Sequence, residues 1–123
     1  MFEQDYIMRM IKEMVRTILK LLFNIDTESP TAELLENKEE KALLEKLLDM
    51  VDDGCINEAE NLLYDILDTC ESSGLIMALL FYSYLNDKTD EFLEENDYKR
   101  EEIRQGMESI ADRFGLSDIV SIF

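Results

Sequence analysis

Residues 41–69 read KALLEKLLDMVDDGCINEAENLLYDILDT, and this stretch decides the fold. In its first half Leu43, Leu44, Leu47, Leu48, Met50 and Val51 recur at three- and four-residue steps, with Glu45, Lys46 and Asp49 in the gaps. That is the period of an amphipathic helix, not the alternation of a strand. Gly54 tolerates positive φ and suits a helix end. Asn57 followed by Glu60 has the spacing of a capping box, which predicts a second helix starting there. Ala59, Leu62, Leu63, Ile66 and Leu67 give that helix its apolar stripe. Two helices joined by so short a connection are antiparallel neighbours.

The turn Gly54-Cys55-Ile56-Asn57-Glu58-Ala59 resembles that of a tetratricopeptide-type helix pair over roughly one repeat, without the aromatic positions of the consensus. That resemblance implies helix-pair geometry and a surface offered to partners. A second reading of the same residues is a calcium loop. Asp49, Asp53, Gly54, Asn57 and Glu60 fall at positions 1, 5, 6, 9 and 12 of an EF-hand spacing, but Val51 stands at position 3, where an oxygen ligand is required.

Working outward, residues 5–25 form a helix with Asp5 as its expected N-cap. Ile7, Ile11, Met14, Ile18, Leu21 and Ile25 follow the 4-3-4-3-4 steps of a coiled-coil seam. Met8, Met10, Val15, Leu19 and Leu22 widen the apolar arc to ~180°, beyond the ~100° stripe of a surface helix. Arg9, Lys12, Arg16 and Lys20 lie opposite with Glu13. Three roles fit: a core helix with a basic outer face, a dimerisation helix, or a helix lying on a membrane. The expected interaction surface is Ile7, Ile11, Met14, Ile18 and Leu21 with Arg9 and Arg16.

Residues 26–36 hold Pro30, the single proline, and read as a connector with a helical turn at Thr31–Leu35. Residues 37–123 read as helical hairpins. Glu71-Ser72-Ser73-Gly74 breaks the chain. Leu75 to Leu85 is too apolar for a surface helix and too short for a bilayer, so it is buried on most sides; the Tyr82 and Tyr84 hydroxyls then need partners. Asp90–Asn96 is a short acidic helix resting on Phe92 and Leu93. Asn96 or Asp97 caps a helix over Tyr98–Phe114, with Ile103, Met107, Ile110 and Ala111 on its inner face. Gly115 ends it, and Ser117 opens a last apolar turn. The expected architecture is all-α: five to seven helices in one domain (1–123), as a bundle or a tetratricopeptide-like array.

Composition narrows function by exclusion. The net charge is −17, with 29 acidic and 12 basic residues in 123. This argues against nucleic acid, which needs a basic surface to displace counterions, and against attraction to anionic membranes. There is no histidine. The commonest general base and metal ligand is therefore missing, and a Glu-x-x-His di-iron site is ruled out. Cys55 and Cys70 lie some 20 Å apart along a helix and do not pair within it. No apolar segment is long enough to cross a bilayer and no signal-peptide pattern is present, so the expectation is a cytoplasmic protein. Neither a phosphate-binding Gly-rich loop nor a nucleophile elbow occurs, and no cofactor is implied. Glu36-x-x-Glu39 and Glu91-x-x-Glu94 have the spacing of the magnesium sites of all-helical nucleotide pyrophosphatases, but their later partners, Asp49-x-x-Asp52 and Glu108 to Asp112, fit that pattern imperfectly.

The segments Gln4-Asp5-Tyr6-Ile7-Met8-Arg9-Met10-Ile11 and Ile56-Asn57-Glu58-Ala59-Glu60-Asn61-Leu62-Leu63 resemble a family of short, acidic, uncharacterised bacterial proteins of anaerobic Firmicutes. The resemblance implies a bacterial cytosolic setting and assigns no site residue. The expected function is that of a non-enzymatic module for protein interaction or self-association through the N-terminal helix. The alternatives are a carboxylate-based cation binder at residues 49–60 and a magnesium-dependent nucleotide hydrolase.

Overall fold

A computed structural model describes residues 2–27, 30–69 and 74–123, with side chains from Asp5 onward. The described residues form seven α-helices: α1 (Phe2–Phe23), α2 (Lys38–Asp52), α3 (Ile56–Thr69), α4 (Gly74–Asn86), α5 (Asp90–Glu95), α6 (Arg100–Arg113) and α7 (Ser117–Val120). A 3-10 turn at Ala32–Leu34 sits in the connector, within the helical turn expected over Thr31–Leu35, and Thr31 caps it. No strand occurs among the described residues. The fold is all-α, with a helix count inside the expected range.

The helix at the centre is α4, not α1. Its apolar residues run all the way round, so no face suits water. Leu75, Met77, Ala78, Leu79, Leu80, Phe81, Tyr82 and Leu85 are all buried. Around α4 stand α1, α2, α3 and α6, each giving it one apolar face. Leu44, Leu47 and Val51 come from α2; Ile56, Ala59, Leu63, Ile66 and Leu67 from α3; Ile103, Met107, Ile110 and Ala111 from α6. Each of the buried valine, leucine, isoleucine and methionine side chains contributes about 1.5–3 kcal/mol on leaving water.

The ends of the helices follow local chemistry. Asn37 caps α2, its Oδ1 accepting from the Glu39 and Glu40 amides at 2.8 and 3.2 Å. Gly54, at φ +86°, closes α2 with the Cys55 amide bonded to the Met50 carbonyl and the Gly54 amide to that of Val51. This is the Schellman pattern, in which a left-handed residue satisfies the last carbonyls.

Three expected caps are corrected. The first helix begins at Phe2, so Asp5 lies inside it. The second arm begins at Ile56, which puts Asn57 within its first turn, and Glu60 turns to tyrosines of other elements instead of reaching back. The helix expected at Tyr98 begins at Arg100: Asp97 takes φ +54° to end α5, and Glu102 accepts from the Lys99 amide at 2.7 Å. The expected break at Glu71–Ser73, the position of Cys70, and Glu28 and Ser29 of the connector lie outside the described residues.

Candidate functional site

The outer side of α1 is built by a division of its faces. Ile11, Met14, Val15, Ile18 and Leu19 are buried against α4 and α6. The coiled-coil-like seam is thus consumed inside the chain. Of the expected interaction surface, Ile11, Met14 and Ile18 belong to the core, and Ile7 is half-buried against it. Leu21 and Arg9 are exposed; Arg16 is half-buried, with its guanidinium 3.5 Å from Asp26. The physical reason is that α4, apolar on every side, needs one flank of α1 to cover it.

What remains free is a mixed strip. Met10 and Leu21 are eleven residues apart, three helical turns, and so share one bearing; Tyr6 and Thr17 share another 40° away. Tyr6 is 60% exposed and Leu21 64%. Beside them run Arg9, Glu13 and Lys20, all exposed. The chain's end joins this strip. Tyr6, Arg9, Met10, Glu13, Ile122 and Phe123 line an open groove of about 410 Å³, with Ile122 75% exposed. The exposed large apolar side chains of the described residues are Tyr6, Leu21, Leu22 and Ile122: three on α1 and one in the groove beside it.

The carboxylates of the calcium reading are placed otherwise. Glu60 points inward, its Oε2 accepting from the Tyr82 hydroxyl at 2.7 Å and its Oε1 from the Tyr98 hydroxyl at 2.9 Å. Burial pushes both hydroxyls far above the ordinary tyrosine range, and the Glu60 charge adds to the effect. Residues 49–52 are the last turn of α2 and not a loop. Asp52 accepts from Tyr84 at 2.7 Å and Lys88 at 2.6 Å; these bonds, that to Lys88 foremost, hold its carboxyl below the usual value. Glu36, Glu39, Glu91 and Glu94 are exposed; Glu108 pairs with Arg104 at 3.1 Å, and Asp112 accepts from Ser117 at 3.1 Å. Among the described residues no group of three acidic or thiol side chains is placed to hold a metal ion.

The sequence reading missed two polar junctions. One is Glu60 with Tyr82 and Tyr98. The other is Arg100, buried at the start of α6, which donates to the Asn86 and Lys88 carbonyls at 2.6 and 2.8 Å and to Asp90 at 2.8 Å. A glycine within an otherwise regular helix was the available signal for the first: a Cβ on Gly106 would lie 2.5 Å from the Tyr82 ring and hydroxyl.

A model of a family of unknown function (DUF6483) matches residues 1–115. The chain belongs to the DUF6483 family. No curated protein and no solved structure matches it. The DUF6483 match takes in α1 to α6 and ends at Gly115, so Tyr6, Met10 and Leu21 fall within it, while Ile122 and Phe123 lie beyond. Among the described residues no helix is long and apolar enough to cross a membrane.

Proposed function

We propose that this chain works by contact: a helical interaction module that presents the outer edge of α1, with the end of the chain, to a protein surface. The observation that carries this reading is the gathering of the exposed large apolar residues, Tyr6, Leu21, Leu22 and Ile122, on α1 and the groove beside it. Apolar side chains left in water along one element, rimmed by charge, are the usual mark of a binding surface. The tetratricopeptide-like turn at Gly54–Ala59 is in keeping with a contact role. The setting we propose is the cytoplasm of a bacterium, as the resemblance of the first helix and the central hairpin implies. No cofactor enters this reading.

The test is cross-linking in the native cytosol with a photoreactive residue placed at Tyr6 or Leu21, against one placed at Glu45 on α2. Discrete adducts at the first two positions and none at the third are expected. Adducts equally abundant at all three, or none at α1, would remove the proposal.

A further inference from the structure

We propose that a small primary amine with an apolar body, of the arylalkylamine class, binds in the hollow where the connector crosses between α2 and α4, with its ammonium group on Asp87. The site shares no residue with the outer edge of α1 and does not rest on the contact role argued above.

The hollow measures about 230 Å³. Leu44 and Leu48 of α2 form one wall, Leu80 and Tyr84 of α4 the other, and Pro30 and Ala32 of the connector flank it. Each wall is a pair four residues apart, so its two side chains lie one above the other on the same helix face. An apolar cavity of about 150 Å³ holds a benzene ring, and on that scale this hollow takes a ring with a short chain, about nine non-hydrogen atoms in all.

The polar groups of the hollow select the head of the ligand. Ser83 interrupts the apolar circumference of α4, and Asp87 follows it one turn later on the same face; both line the hollow. Among the described residues the Ser83 hydroxyl and the Asp87 carboxylate have no partner. The other side-chain polar groups there are engaged: the Tyr84 hydroxyl donates to Asp52 at 2.7 Å, and Thr31 Oγ1 accepts from the Glu33 amide at 3.4 Å. What stays free is a carboxylate, which only accepts, and a hydroxyl one turn away, which is able to accept. A ligand head must therefore donate to both, and an ammonium group, with three N–H donors, does so while matching the charge.

No base of the chain takes that place. Lys88 is held on Asp52 at 2.6 Å and Arg100 on Asp90 at 2.8 Å. Pro30 and Ser83 also border a second, more polar hollow lined by Lys12, Glu13 and Arg16, of which Asp87 is not a part. There Lys12 and Glu13 offset one another in charge, and Arg16 lies 3.5 Å from Asp26. The uncompensated charge on the apolar hollow is that of Asp87, and the chain's −17 draws cations toward it. An anion of the same shape would meet Asp87 in a negative field.

The experiment titrates the isotope-labelled full chain and follows its amide resonances by NMR. Phenethylamine, phenethyl alcohol and phenylacetate share one apolar body and differ in the head; ethylamine has the head without the body. With phenethylamine, saturable shifts in the millimolar range are expected, confined to residues 30–32, 44–48 and 80–87. The alcohol, and phenethylamine with Asp87→Asn, should each bind about fivefold more weakly, the scale of one solvent-exposed ion pair. Phenylacetate should give no shifts, and ethylamine only weak ones spread over the acidic faces. Asp87→Asn should keep the thermal midpoint, since its carboxylate holds no other group of the fold. The absence of saturable shifts, shifts spread as widely as those of ethylamine, equal binding of the alcohol or of phenylacetate, or undiminished binding by Asp87→Asn would each overturn the site.

Discussion

The Tyr82 hydroxyl, on the central helix α4, donates to the Glu60 carboxylate of α3 at 2.7 Å, and Tyr98 donates to the other oxygen of the same group. Both rings are buried. One carboxylate therefore satisfies two hydroxyls that water does not reach. Glu60→Ala takes this acceptor from both, leaving Tyr82 only the neighbouring Tyr64 hydroxyl, at about 1–3 kcal/mol for each group so orphaned. Tyr82→Phe removes donor and partner need together on one side and costs about 1 kcal/mol. Urea unfolding checks both; a Glu60→Ala loss no larger than that of Tyr82→Phe would show the carboxylate to be incidental.

The same pair makes the fold sensitive to alkali. Tyrosine in the unfolded chain ionises near 10, whereas Tyr82 and Tyr98 are pushed well above that by burial and by Glu60. Below pH 10 both residues are protonated in both states, and the stability they contribute is fully present. Above it the unfolded chain sheds protons that the folded chain retains, so stability falls with slope of about 1.4 kcal/mol per pH unit for each tyrosine. We expect the thermal midpoint to drop steeply from pH 10 upward, and Tyr82→Phe to remove about 1.4 kcal/mol per pH unit of that slope. An equal slope in the variant would refute the assignment.

Periodicity made the inner faces of α2, α3 and α6 legible, because Leu47, Leu63 and Met107 repeat at helical steps and nothing competes with them. It also made α4 legible as a buried helix. It misled at Asn57 and Glu60, where a local capping rule and a tertiary demand draw on one carboxylate. Tyr82 and Tyr98, 22 and 38 residues away in sequence, win because burial makes their need for an acceptor larger than that of a solvated helix end. The expected surface at Ile11, Met14 and Ile18 failed for a related reason. A seam of apolar residues states that something covers it, and not whether the cover is another helix of the same chain or a second copy. Leu21 was picked as part of that seam and turns out to be the piece left uncovered.

Gly106 gives a sharp packing test. Ala in a helix interior normally gains about 1 kcal/mol over Gly. Here the added methyl would stand 2.5 Å from the Tyr82 ring and hydroxyl, a side chain fixed by its bond to Glu60. Gly106→Ala should therefore destabilise by about 1–3 kcal/mol through overpacking. In Gly106→Ala/Tyr82→Leu the clash is relieved, so the added methyl should cost far less than it does beside Tyr82. A neutral or stabilising Gly106→Ala single variant would contradict this packing.

Calcium titration probes the 49–60 segment. Glu60, which the spacing places at the bidentate position, is held inside by Tyr82 and Tyr98, and Asp49 sits on an intact helical turn. Binding there would require unwinding the end of α2 and breaking the hydrogen bonds from Tyr82 and Tyr98. We expect no saturable heat on titration with calcium, magnesium or manganese in the micromolar to low millimolar range. A saturable isotherm removed by Asp49→Ala would reverse the assignment.

Arg100 ties four helices at one point. Its Nη1 reaches the Asn86 carbonyl at 2.6 Å and the Asn86 Oδ1 at 3.1 Å, its Nη2 reaches the Lys88 carbonyl and Asp90 at 2.8 Å, and Asn86 in turn donates to the Met8 carbonyl of α1 at 2.9 Å. The guanidinium thus caps the end of α4, where orphan carbonyls favour a cation. Arg100→Met strips those carbonyls and Asp90 of their partner in a site with little water, and should cost about 3–5 kcal/mol. Lysine keeps the charge but not the planar fork, so Arg100→Lys should recover less than half of that loss. The effect should reach α1: hydrogen exchange at amides bonded near Met8 is expected to quicken in Arg100→Met while those of α3 hold their protection relative to global unfolding. Uniform acceleration across all helices would mean that Arg100 supports overall stability without locally securing α1.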